Sequence, residues 1–161
     1  MHASAITLRG ANGYHRARVG ALLEHLPDEE YLGRTELVDS TFTAYVVNDD
    51  LDSIVGRLVR WVPDGDADIV FRTRGVRLAC WSATWATYRT GDRQALASAL
   101  ALVGGFVAVG ETPTEVHVVY VPHDVDLDTL RFLTAETLGG HRPVEFTLLK
   151  AAVDEAEEVG A

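Results

Sequence analysis

A chain of 161 residues with 47% hydrophobic and 24% charged side chains has the size and composition of one ordinary domain, able to bury a core without metal or disulfide. Twenty-four acidic against fourteen basic residues leave a net charge of −10, which repels a phosphate backbone at long range and argues against general nucleic-acid binding. The single cysteine, Cys80, leaves no internal disulfide, and the opening MHASAITLRG lacks the basic, apolar and small-residue regions of a secretory signal, so the cytoplasm is the expected location.

In chain order, Ser4 to Leu8 form a first strand. Asn12 then caps a helix whose apolar positions Val19, Leu22, Leu23 and Leu26 keep helical spacing as far as Pro27. Pro27 to Glu30 predict a second helical turn ended near Gly33, and Thr35 to Val47 an extended segment. Leu51, Ile54, Val55, Leu58 and Val62 lie on one helical face behind the start signal Asn48, Asp49, Asp50.

Residues 76 to 89, VRLACWSATWATYR, hold two of the three tryptophans and the cysteine, with no charge between Arg77 and Arg89. Read at period two, Trp81 and Trp85 share one face with Ala79 and Ala83. Read at period 3.6, Leu78, Trp81, Trp85 and Tyr88 form a stripe; the β-branched and aromatic content favours a strand. Ile69 to Thr73 pair with it in a hairpin turned at Arg74 and Gly75.

Gly91 and Asp92 start a helix from Arg93 to about Val103, ended by Gly104 and Gly105, then comes a hairpin of Phe106 to Val109 with Glu115 to Val121. Asp126 or Asp128 caps the next helix, Val144 to Leu148 give a last strand, and Leu149, Ala152, Val153 and Ala156 a final helix with acids at its negative end. The longest nearly apolar run, Ala95 to Gly110, is broken by Ser98, Gly104 and Gly105 and falls short of the ~20 residues a spanning helix needs; no membrane association is expected. Helix followed by two strands recurs faintly. The expected fold is α+β, a mainly antiparallel sheet with helices packed on one face, in a single domain over 1–161.

Chemical signals are sparse. Asp64, Asp66 and Asp68, and again Asp124, Asp126 and Asp128, place an acid at every second residue, as a calcium loop begins. The sixth and twelfth positions are then Ile69 and Gly75, or Thr129 and Ala135, in place of glycine and glutamate, so turns and helix caps account for both runs. The six histidines form no HExxH. His117 on a strand and His123 beyond its end, beside Asp124, make a candidate general base or partial metal site. Cys80 is a candidate nucleophile if His117 reaches it from a neighbouring strand, and otherwise a small buried hydrophobe. Arg72, Arg74 and Arg77 form a positive spot suited to one anion, or pair with the chain's own acids. No nucleophile elbow, phosphate-binding loop or dinucleotide fingerprint occurs, and no cofactor is expected.

The Trp81 and Trp85 face serves either as inner wall of the core or as a contact surface. The leading expectation is a non-catalytic interaction module, acidic, binding a protein partner or copies of itself through an aromatic sheet face or edge. The alternatives are a small enzyme or ligand-binding domain using His117, His123 and Cys80 with Arg77 as anion clamp, and an acidic immunity-type inhibitor that covers a basic partner.

Overall fold

A computed structural model describes residues 2–26, 31–47, 51–61, 68–109, 116–135, 137–138 and 142–150. The chain divides into two compact units, Ala3–Val76 and Arg77–Ala161, the latter together with Met1–His2. The described strands are mainly antiparallel, the helices pair on the sheet, and the class is α+β.

The first unit holds β1 (His2–Arg9), α1 (Gly13–Leu23), β2 (Tyr31–Arg34), β3 (Thr41–Val46), α2 (Leu51–Trp61) and the first half of β4 (Asp68–Thr84), with strand order β2-β3-β1-β4. Helix α1 starts where the sequence places it. The Asn12 side chain accepts from the His15 backbone N–H, and the His15 ring accepts from the Asn12 N–H, a reciprocal capping box. Val19 and Leu23, one turn apart, are buried, and so are Leu51, Ile54, Val55 and Leu58 of α2; α1 and α2 touch each other. Ile6, Leu8, Phe42, Ala44 and Val46 supply the buried sheet side chains.

The second unit holds the rest of β4, then α3 (Asp92–Ala101), β5 (Phe106–Val107), β6 (Val116–Pro122), α4 (Leu127–Thr134) and β7 (Glu145–Lys150), with order β5-β6-β4-β7. Its core joins Ala79 and Ala83 of β4, Trp85, Leu96 and Leu100 of α3, Val119 and Val121 of β6 and Leu130 of α4. The odd-numbered positions of β4 and β6 therefore face the helices, which touch each other.

Both units thus run β-α-β-β-α-β with the first strand between the third and the fourth, the split βαβ arrangement called ferredoxin-like. The faint recurrence in the sequence is explicit here, down to single bonds. His15 and Asp92 each sit in the first turn of the first helix and accept from the backbone N–H three residues earlier, at 3.1 and 2.8 Å. The next residue is arginine both times. Arg16 donates to the Thr35 carbonyl at 2.7 Å and Arg93 to the Ala108 carbonyl at 2.8 Å. Thr35 and Ala108 each follow the second strand, and their own N–H groups bond to Thr43 and Val118 of the third.

Three expectations are corrected. Residues 68–84 are one strand, and no hairpin forms at Arg74 and Gly75; Gly75 does adopt φ +70, but the strand absorbs it, since a lone glycine in an extended run marks a bend as readily as a turn. That strand ends at Thr84 rather than Arg89, because the backbone turns left-handed at Thr87 (φ 56) and Gly91 (φ 92) to enter α3. Thr35 to Val47 is not one extended run. β2 begins at Tyr31, includes Gly33, and turns into β3 at Asp39 and Ser40, whose φ values of 51 and 60 make the primed two-residue turn usually signalled by Asn-Gly. Leu149 belongs to β7; the rest of the expected final helix, like Pro27 to Glu30, lies outside the described residues.

Candidate functional site

The densest polar and aromatic cluster lies in the second unit, where β4 ends and α3 begins. Asp92, buried in the first turn of α3, accepts from the Trp85 indole at 3.0 Å, the Arg89 backbone N–H at 2.8 Å and Arg142 Nη1 and Nη2 at 2.6 and 3.0 Å. Arg142 also donates to the carbonyls of Thr87 and Leu138. The Arg142 bonds outweigh burial and, with those from Arg89 and Trp85, bring the Asp92 carboxyl down to about 2. One carboxylate thereby pins a loop, a helix start and the approach to β7.

Above it three rings stack. His117, 2% exposed, lies 4.7 Å from the Trp85 ring at 11° and 5.7 Å from Tyr88 at 17°. Arg93 Nη1 is 3.1 Å from His117 Nδ1; a guanidinium only donates, so Nδ1 accepts. Thr84, Trp85, Ala86, Val116, Pro143 and Glu145 line an open cleft of about 360 Å³ beside the stack. This cleft has a mixed lining with one carboxylate, at Glu145.

The other predicted residues are dispersed. Trp85, 7% exposed, and the partly buried Trp81 pack against the core beneath α3 and α4, so both indoles face the helices rather than solvent. Trp81 Nε1 is buried with no hydrogen-bond partner. Pairing of β4 with β6 sets Ala83 opposite His117 and Cys80 opposite Tyr120. Cys80 and His117 therefore lie on opposite faces of the sheet, and the pleat keeps the imidazole from the thiol. Burial raises the Cys80 thiol and moves Tyr120 up to about 12.

His123 is exposed just past the far end of β6, six residues and roughly 20 Å along the chain from His117. It bonds through its backbone to the Arg77 carbonyl and stands apart from His117. Arg77 is exposed; Arg72 and Arg74 lie along β4, not at a hairpin tip, with side chains outside the described residues. Asp126 is the N-cap of α4, its carboxylate accepting from the Thr129 N–H at 2.8 Å, and that bond lowers its pKa. Asp124 and Asp128 are exposed beside it. Asp64, Asp66 and the Asp68 side chain lie outside the described residues. Among the described residues no three His, Cys, Asp or Glu side chains gather as metal ligands, and no helix is long and apolar enough to cross a membrane.

Asp92, Arg93 and Arg142 were absent from the candidates read in the sequence. Asp92 reads there as a helix start, which it is; its pairing across fifty residues with Arg142 leaves no local signal. The remaining distinctive surface is β7. Among the described residues it pairs with β4 alone, leaving its outer edge open, and five of its six residues are exposed. Leu148 is 48% and Leu149 55% exposed, and Phe132 on α4, which touches β7, is 83% exposed. No known protein-family model matches this chain, and no curated protein is significantly similar to it.

Proposed function

We propose that this protein is a non-catalytic interaction module that binds a protein partner, or a second copy of itself, through the β7 edge. The observation that carries the reading is that five of the six residues of Glu145–Lys150 are exposed and that, among the described residues, the strand pairs on one side only. An edge strand presents unpaired N–H and C=O groups that another extended segment can complete. With the indoles turned inward, the edge and not the aromatic face is the available surface.

Six residues of strand extend about 20 Å, too little alone for the ~1,200 Å² of a stable interface. Leu148 and Leu149 add exposed apolar area on the strand, and Phe132 adds more on α4, which touches β7. The bulge that shifts register between Cys80 and Trp81 confines regular pairing to Glu145–Leu148. Net charge of −10 makes self-association salt-dependent, since copies repel more weakly as ions screen them.

Size-exclusion chromatography with light scattering at low and high salt, over a wide concentration range, tests the self-association arm. A dimer that strengthens with salt and reverts to monomer in Leu148→Lys supports it. Hydrogen exchange of the β7 amides, in the absence and presence of native extract, tests the partner arm. A strict monomer whose β7 amides gain no protection refutes the proposal.

A further inference from the structure

A second feature, in the Ala3–Val76 unit, is independent of the β7 edge. Arg34, last residue of β2, lies over α1 so closely that a Cβ on Gly20 would stand 2.4 Å from its Cζ and 2.5 Å from Nη1. Gly20 is the vacancy that lets this guanidinium settle against the helix. Its Nη1 donates to the Tyr31 hydroxyl at 2.9 Å, which fixes the plane of the fork. Nε, on the opposite edge, is buried with no acceptor.

Arg16 sits beside Arg34, close enough that the Arg34 charge, after burial, lowers its pKa. Arg16 has its own carboxylate, Glu36, at 2.8 Å, and donates to the carbonyls of Thr35 and Arg34. Among the described residues Arg34 has no such carboxylate, and Tyr31, to which it donates, is a neutral acceptor. There, one arginine of the pair is charge-compensated and the other is not.

A guanidinium with one edge satisfied and the other vacant matches a planar oxyanion, because Nε–H and the adjacent Nη2–H are parallel donors spaced for two oxygens. A buried N–H lacking an acceptor is costly and calls for an account. The geometry points to an oxyanion-binding site on the Nε/Nη2 edge of Arg34, taking a carboxylate or phosphate group. Arg34 as a whole is partly exposed while Nε itself is buried, so an anion has to reach this edge from the solvent-facing part of the side chain. Long-range attraction does not build this site, since the chain is strongly acidic. Local donors do, and the site is selective for groups offering two coplanar oxygens.

The test uses the full chain with inorganic phosphate, acetate and chloride at equal ionic strength. At ten times the dissociation constant, mass action predicts a rise in Tm of about 4 °C that grows with the logarithm of anion concentration, for phosphate, acetate or both, and none for chloride. Comparing the two effective arms separates a phosphate from a carboxylate site. The rise disappears in Arg34→Gln and survives in Arg9→Gln, at an exposed basic residue. In parallel, the Arg34 Nε–H resonance of arginine-labelled protein shifts saturably, with its midpoint at the dissociation constant that accounts for the Tm rise, a readout that needs no variant. A Tm equal in all three salts, a rise retained in Arg34→Gln, or an Nε–H resonance that stays put as the anion is added each overturn the proposal.

Discussion

Replacing Asp92 by alanine removes four hydrogen bonds at once and leaves the Arg142 guanidinium, only 9% exposed as a side chain, without its counter-charge. Breaking a buried ion pair from one side costs about 3–5 kcal/mol, and orphaning the Trp85 indole adds about 1 kcal/mol. We expect about 4 kcal/mol in all, since the loop relaxes and water reaches part of the site. Asp92→Asn keeps the shape and some acceptance and loses about half as much. The pH dependence provides a second check. The folded carboxyl lies at about 2 against an ordinary 3.8, so its contribution is fully present above pH 4 and lost as pH falls through 2. That span corresponds to at most about 2–3 kcal/mol. Urea denaturation followed by tryptophan fluorescence and circular dichroism, from pH 7 to pH 2, measures both quantities. A loss below 1 kcal/mol at pH 7, or an acid limb between pH 4 and 2 unchanged in Asp92→Asn, refutes the reasoning.

Three further outcomes follow from packing and burial. Gly105→Ala would bring a Cβ to 2.9 Å from Val121 Cγ1 and 3.1 Å from the Tyr120 carbonyl; because Val121 is fully buried, we expect a loss of about 1–3 kcal/mol by thermal denaturation, and a neutral result contradicts the contact. Asn12→Ala opens the reciprocal cap of α1 and should cost about 1 kcal/mol, read by the same assay; no change contradicts the cap. The Cys80 thiol, raised by burial, should react with a disulfide reagent far more slowly in the folded protein than in urea. Its rate should climb only above the ordinary thiol range, and rapid labelling at neutral pH would place it on the surface.

Local signals in the sequence anticipated much of the fold. The Asn12 cap, the apolar stripe of Leu51, Ile54, Val55 and Leu58, the pairing of β5 with β6 and the Asp126 cap each depend on residues within a few positions of one another, and each is present. Gly75 was legible as a positive φ but not as a bend inside a strand, since both uses need the same missing Cβ. The β2 to β3 turn was missed because Asp39 and Ser40 take left-handed backbones that their side chains do not advertise. The site was less legible still. His117 and Cys80 look compatible along the sequence, and only the register against Ala83 and Tyr120 shows that they point to opposite sides. Asp92 and Arg142 meet through tertiary structure alone.

The arginine that opens the first helix of each half has a wider meaning. Arg16 and Arg93 reach equivalent backbone oxygens in their respective halves, while the residue before each differs, histidine in one and aspartate in the other, and both accept the amide proton three residues back. The same clasp therefore locks helix to hairpin twice and leaves the position beside it open to different chemistry. In one half that neighbourhood holds a ring stack and a buried ion pair; in the other it holds a pair of guanidinium groups of which, among the described residues, one has a carboxylate partner.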